Sequence, residues 1–475
     1  MPSLAPGAAV LAVSGLLFTH PALTRVSTDP FTNTVSQHAT EVEPDTYAFG
    51  KTIVGAFQVG RNFAGGAADL GWATSSNGGA TWRAGLLPGL TTHLGGGKFP
   101  AVSDPSVVFD AKHKTWLISG LLVNTRPADA GISVSRSADA VHWSKPVMAF
   151  GGGASKGSWD KDWITCDNHA ASPHYGNCYL QADDTSAAGA MVMSVSRDGG
   201  ATWSAQKMPA GHPHGLGGQP LAQPSGKVIV PFLSDIDGIG VFSSANGGLT
   251  WSKETKIATF SHHNAGGDLR DGEGLPSAAV DASGRVYVVW ADCRFRTRCS
   301  ANDLVLSTSS NGTTWSKVAR IPIDPTTSGV DHVLPGIGVA GSGNTARIGL
   351  YYYFLPKASC KGAACRLEVG YLSSANAGRT WSTPTVVAGP MKFTQLANTN
   401  QGRMVGDYIS CSISNGRAFS VFAVGKPAVA GHAFNEAMYT AGGLPMKGGS
   451  HRAVSGPIRP GRPAKSELSA TFGRE

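Results

Sequence analysis

Six times along this chain of 475 residues a short motif returns with the same chemistry. Its fullest copy is Ser196 to Trp203, SRDGGATW; the others run Ser75 to Trp82, Ser137 to Trp143, Ser244 to Trp251, Ser309 to Trp315 and Ser374 to Trp381. The tryptophans stand roughly 50 to 65 residues apart, a spacing that marks an array or a propeller. Asp or Asn at the third position can accept from backbone N–H groups and hold a turn. Gly supplies positive φ without a steric cost, and Trp lays an apolar face over the turn. Four copies carry Asn for Asp and two are one residue short, changes that keep the same turn chemistry.

Each clasp follows alternating apolar runs bounded by Gly, Pro and Asp, which is the pattern of short strands. Examples are TIVGAFQV, TWLISGLLV, RVYVVWAD and RIGLYYYF. A unit therefore reads strand, strand, strand, clasp, strand, a four-stranded blade. A last unit, GDYISCSI, RAFSVFAV and EAMYTA, lacks a clasp and supplies three strands. Thr24 to Asp29 can supply its fourth and cover both open edges. The expectation is an all-β, seven-bladed propeller over residues 24–443; a six-bladed ring with a C-terminal hairpin is the alternative. Residues 444–475, rich in Gly, Pro, Ser and basic side chains, read as a disordered tail.

The seven cysteines fall as Cys166 with Cys178, Cys293 with Cys299 and Cys360 with Cys365, leaving Cys411 in a strand-like run. The close pairs read as disulfides of an oxidising compartment, since neither their spacing nor nearby His matches a zinc site. Gly7 to Phe18 is an apolar stretch of signal-peptide length, too short to span a bilayer and without a basic start. Together these place the protein outside the cytoplasm, with residues 1–23 as a leader. The formal charge of +8 favours acidic partners by steering, but no nucleic-acid motif is present. The chain is expected to be a monomer without a transmembrane segment.

The clasp resembles the Asp box, or BNR repeat, of the sialidase (neuraminidase) superfamily, and the resemblance covers about Thr24 to Gly442. It implies a glycan-acting protein, a glycoside hydrolase of exo-α-sialidase type. Sialidases hold the substrate carboxylate with three arginines, attack with a Tyr assisted by Glu, and protonate with an Asp. Arginine suits a carboxylate because it bonds in a bidentate fork, and a Tyr nucleophile departs from the usual two-carboxylate scheme. By order and spacing the resemblance assigns Asp69 as acid/base, Tyr408 as nucleophile and Glu273 as its partner. Arg61, Arg294 and Arg403 become the arginines. Where the family carries Phe-Arg-Ile-Pro, this chain reads Glu41-Val42-Glu43-Pro44, with Val42 in the arginine's slot.

A second argument needs no family. The start of strand one and the end of strand two of each blade share one face. Glu43, Asp104, Asp162, Asp292 and Arg61 stand at such ends, with Arg294 and Arg403, and would ring one central opening as substrate-binding groups. Crowded carboxylates raise one another's pKa, which suits an acid; they would also suit a hard cation such as Ca²⁺, although no contiguous calcium loop is present and no cofactor is expected. Trp163 and Tyr175 are candidates for stacking on a sugar. His212, His214, His262 and His263, in Gly-rich loops, read as solvated. The competing functions are a non-catalytic propeller binding a glycan or protein, and an enzyme using two carboxylates on another polysaccharide.

Overall fold

A computed structural model describes residues 20–123, 130–151, 158–236 and 238–455. The expected leader therefore falls almost wholly outside the described residues, as does the tail beyond 455. The molecule is all-β, and its strands form antiparallel sheets in sequence order. The first sheet comprises Glu41–Phe49, Thr52–Arg61, Ala67–Ser75 and Arg83–Leu86. The second comprises Ala101–Asp110, Thr115–Val123, Gly131–Ser137 and Val147–Gly151. Trp159–Cys166, Cys178–Asp184 and Ala190–Ser196 make the third, with Lys207 bridging to Met193 at its edge. In the fourth, Gly215–Leu216 and Leu221–Ala222 share one side of Val228–Ser234, followed by Gly238–Ser244 and Thr255–Ala258. The fifth runs Ser277–Val280, Val286–Asp292, Asp303–Ser309, Ala319–Arg320. The sixth runs Asp331–Ala340, Arg347–Leu355, Arg366–Ser374, Thr385–Lys392.

The last unit is more irregular. Ser412–Ser414 pairs with Arg417–Phe419, and Phe422–Gly425 pairs with Glu436–Thr440. Thr24–Arg25 then pairs with the free side of Glu436–Thr440, within the segment expected to supply this strand. The seam is latched by buried polar groups. Ser27 Oγ donates to Glu41 Oε2 at 2.5 Å and accepts from Met438 N–H at 2.8 Å.

The strands are apolar on both sides because each sheet is covered on both sides. One apolar cluster fills the space between sheets one and two, around Trp72 and Trp116. Others lie between two and three, three and four, four and five, and five and six. The largest joins sheet six to the last unit and reaches Phe57 and Val59 of the first sheet. The first strands touch in the same order. Glu41–Phe49 lies beside Ala101–Asp110, then come Trp159–Cys166, Leu221–Ala222, Ser277–Val280, Asp331–Ala340 and Ser412–Ser414, which returns to Glu41–Phe49.

Each clasp joins the third strand of its sheet to the segment leading to the fourth. In the fullest copy Asp198 Oδ1 accepts from Thr202 N–H at 2.9 Å and Ser196 Oγ accepts from Gly200 N–H at 2.9 Å. Asn77 and Ser75 repeat both bonds with Thr81 and Gly79. In the copies one residue short, Asp139 and Asn311 reach two N–H groups each, those of Val141 and His142 and of Thr313 and Thr314. The adjoining glycines have positive φ, 68° at Gly199 and 77° at Gly200. Three disulfides form as expected, and Cys411 is buried and free.

Part of the segment expected to be disordered is a strap. Leu444–Pro445 pairs with Arg417–Ala418, His451–Arg452 pairs with Thr380–Trp381, and Val454 bridges Arg320. Met446 is buried beneath it. Composition missed this contact because backbone pairing to exposed strand edges needs no apolar period.

Candidate functional site

The inner strands are interrupted where the chemistry gathers. Register shifts fall between Val42 and Asp45, Ser103 and Ser106, Asp160 and Asp162, and Val333 and Gly336. Each bulge holds a non-glycine residue in the left-handed region: Glu43 (φ 55°), Asp104 (47°), Lys161 (35°) and Leu334 (51°). Such backbone costs on the order of 1–3 kcal/mol per residue and clusters at functional sites.

These side chains meet at Tyr408. Lys161 Nζ sits 3.4 Å from the centre of its ring, and Trp163 meets it edge-on at 5.3 Å. Burial pushes the phenol's pKa well up, and the carboxyls of Glu43, Asp104, Asp162 and Asp45 add to the shift. Tyr408 is therefore held as a neutral phenol, and its hydroxyl donates to Pro105 O at 3.3 Å. Trp163 and Tyr408 also line a small cavity with Lys161, Gln219, Leu275 and Leu334, residues far apart in the sequence.

The acids around it have raised pKa values as well. Glu43 is raised by burial, by Asp104 and by Asp407, against the pull of Arg61 and Arg270. Gln58 bridges Glu43 and Arg61: its amide donates to Glu43, and its carbonyl accepts from Arg61 Nη1 at 3.1 Å. Asp162 is raised chiefly by burial, and the nearby Ser119 hydroxyl opposes the shift. Asp183 is pushed by burial to about 8, although Gly217 N–H and the Gln181 amide both donate to it.

Above this cluster the loop from Thr259 to Leu275 brings a second set of charges. Arg270 Nε donates to Asp407 Oδ1 at 2.7 Å, and Nη2 grips the other oxygen. Glu273 is exposed there, at φ 47°, and partial desolvation together with Asp271 and Asp407 raises its pKa. His262, expected to be solvated, is buried, with Nε2 3.0 Å from Asp271 Oδ2. Burial alone would lower its pKa, but Asp271 outweighs burial and raises it. His263 faces Asp331 at 2.8 Å.

The residues expected to form one site thus divide. Glu43, Asp104, Asp162, Arg61 and Tyr408 come together, and Glu273 joins through Asp407 and Arg270. Asp69 stands apart: it is buried, accepts only from Leu70 N–H at 2.8 Å, and burial is what raises its pKa. Arg294 is bound to Asp292 by Nε–Oδ1 at 2.9 Å and Nη2–Oδ2 at 2.6 Å, and also donates to Thr259 O. That pair is closed on itself and holds the start of the loop. Arg403 Nη1 donates to Leu396 O at 3.1 Å. The three arginines share no partner among these bonds. Val42 is wholly buried against Ala397 and Met404. Lys161, Arg270 and His262 were not singled out as site residues in the sequence; the signal available was their density in DKDW and in SHHNAGGDLRDGEG.

Asp303, Asp324 and His332 lie close enough to hold a metal ion, but Arg296 and Arg320 already occupy the two carboxylates.

Residues 123–338 match the family model described as "BNR repeat-like domain". That stretch of the chain is similar to a BNR repeat-like domain. That stretch runs from the end of the second sheet's second strand into the first strand of the sixth. No curated protein sequence matches the chain. Among solved structures it is similar to a protein of unknown function from Dyadobacter fermentans: 17% identity, 75% of this chain and 100% of that one, TM-score 0.45. It is similar to the NanB sialidase from Streptococcus pneumoniae at 12% identity, covering 89% of this chain and 71% of that one, TM-score 0.43. A polysaccharide lyase described as an ulvan lyase gives 11% identity, coverage of 92% and 98%, and TM-score 0.49. At these scores the likenesses do not bear on the chemistry of this chain. No helix among the described residues is long and apolar enough to cross a membrane.

Proposed function

We propose that this protein is an exported, seven-bladed β-propeller that hydrolyses glycans at its central opening. The circuit of first strands and the apolar clusters between successive sheets support the seven-bladed reading. The three disulfides support export. A fold hosts many activities, so the function rests on the site. The observation that carries it is Glu273, an exposed carboxyl whose pKa is raised by partial desolvation and by Asp271 and Asp407. A carboxyl whose pKa is raised above the ordinary range is a better proton donor to a leaving glycosidic oxygen than a solvated one. The Asp407–Arg270 ion pair beside it, bonded through both oxygens, fixes a carboxylate next to Glu273.

In a sialidase-type scheme Tyr408 attacks, Glu273 assists, Asp69 protonates, and Arg61, Arg294 and Arg403 hold the carboxylate. The acids about Tyr408 are candidate bases for its proton, but burial and their own charges raise the phenol's pKa and work against attack. The closed Arg294–Asp292 pair and the isolation of Asp69 favour Glu273 as the proton donor instead. A second reading, a glycan-binding propeller without turnover, is favoured by the Tyr408 hydroxyl bonded to Pro105 O beneath Lys161.

A panel of fluorogenic glycosides, sialosides included, separates these readings. The hydrolase reading expects turnover that falls ~10²- to 10⁴-fold in Glu273→Gln with the fold intact. Equal loss in Tyr408→Phe and Asp69→Ala on a sialoside would restore the sialidase scheme. Binding without release of fluorophore from any substrate would leave the binding propeller.

A further inference from the structure

A groove lies against the mouth on the far side of the Arg270 backbone. Asp268, Thr394, Asn398, Asn400, Gln401 and Arg403 line it. The wall is shared. Leu269 and Arg403 form a parallel bridge, Arg403 N–H donates to Asp268 O at 2.7 Å, and Arg270 N–H donates to Arg403 O at 2.8 Å. Along this one turn Asp268 therefore belongs to the groove while Arg270 belongs to the mouth, where it holds Asp407. The Cys360–Cys365 disulfide loop closes the opposite side through Gly362 and Ala363.

The groove's chemistry is that of a sugar-binding surface. Its amide side chains offer paired donors and acceptors to hydroxyl groups. Asn400 is exposed, and its N–H donates to the backbone carbonyl of Phe63, an exposed aromatic residue whose main chain thereby adjoins the groove. A lone exposed aromatic next to convergent polar groups offers a flat apolar face for a sugar ring. The charge is mainly positive. Arg403 contributes to the lining, and the Arg366 guanidinium sits at the rim, donating to Ala363 O at 2.8 Å and Cys365 O at 2.7 Å. Lys392 is the register partner of Arg366, and Lys361 adjoins Gly362; both are exposed. Asp268 is the acid among the lining residues.

We infer that this groove is a second set of subsites, continuous with the mouth, that takes an extended acidic oligosaccharide bearing uronate or sulfate groups. The inference rests on the mouth being a glycan site, and it adds the length and the charge of the chain that the site receives. The net basic surface steers such a chain in, and the arginines recognise its anionic groups by bidentate bonding.

Affinity electrophoresis of the full chain through gels containing polygalacturonate, alginate, chondroitin sulfate, xylan or cellulose derivatives tests this. At least one acidic polysaccharide should retard the protein, and the neutral ones should do so at least tenfold less. Asn400→Ala with Gln401→Ala, and separately Arg403→Gln, should lower that retardation about tenfold. Lys145→Gln, an exposed cation beside a clasp on the opposite face, should leave it within twofold and so exclude a general charge effect. Retardation that survives both groove variants, or that falls equally in Lys145→Gln, overturns the groove. Stronger retardation by neutral polysaccharides overturns the acidic assignment while sparing the mouth. Retardation that is lost in the groove variants, from a protein that turns over no glycoside of the panel, keeps the groove and removes the mouth as a catalytic site. No retardation by any polysaccharide overturns both.

Discussion

The clasp face and the central opening treat their carboxylates in opposite ways. On the clasp face Asp139 and Asp198 are exposed and surrounded by donors. The backbone N–H and ring of His142 hold Asp139 far below the usual carboxylate range. Burial works against Asp198, but the Thr202 hydroxyl and N–H outweigh it and lower its pKa. At the opening Glu43, Asp162 and Asp183 are buried beside one another, and burial raises all three. The lesson is a division of labour. Clasp acids close local turns and serve the fold. The central acids are left under-compensated, which costs stability and leaves proton donors around a cavity.

Three changes on the clasp side would sharpen the contrast, because each should weaken the fold without altering what the opening binds. The largest is Trp381→Ala. This clasp tryptophan is fully buried, its indole N–H donates to Gly378 O at 2.9 Å, and the strap crosses its strand. Its loss should cost ~3–5 kcal/mol in urea unfolding. Ending the chain after Gly443 removes the strap and exposes the site of Met446, and should cost about 2 kcal/mol by the same measurement. Asp198→Ala removes bonds at an exposed turn and should cost about 1 kcal/mol. A clasp variant that abolishes glycan binding while remaining folded would break the comparison.

The same contrast explains what was legible in the sequence. A clasp closes within four residues, from Asp198 to Thr202, so residue types at fixed spacing reveal it. The N-terminal strand was legible because a unit one strand short needs one from elsewhere. Glu43, Asp104 and Asp162 were placed together by strand polarity, and Tyr408 was added by the resemblance. The same polarity placed the arginines at the opening, but not what each one holds, because a guanidinium's partner depends on where its long side chain turns. Arg294 turns back onto Asp292, two residues away, while Arg270 reaches Asp407 across 137 residues. The left-handed residues at the inner bulges were mostly hidden, since Glu, Lys and Leu, unlike Asp, give no warning of positive φ.

Stability against pH tests this division most directly. An unfolded Asp titrates near ~3.9, whereas Asp183 in the folded chain is pushed to about 8. Between those values the folded state keeps a proton that the unfolded state has released, so stability falls as pH rises through the window. The clasp acids act in the reverse direction, losing their contribution only as pH falls below the ordinary carboxylate range. Urea unfolding between pH 5 and 8 should therefore show the protein losing stability with rising pH. In Asp183→Asn the slope should be shallower by about one proton, ~1.4 kcal/mol per pH unit. Stability that is flat or rises across this window, or an unchanged slope in the variant, would contradict the account of the opening.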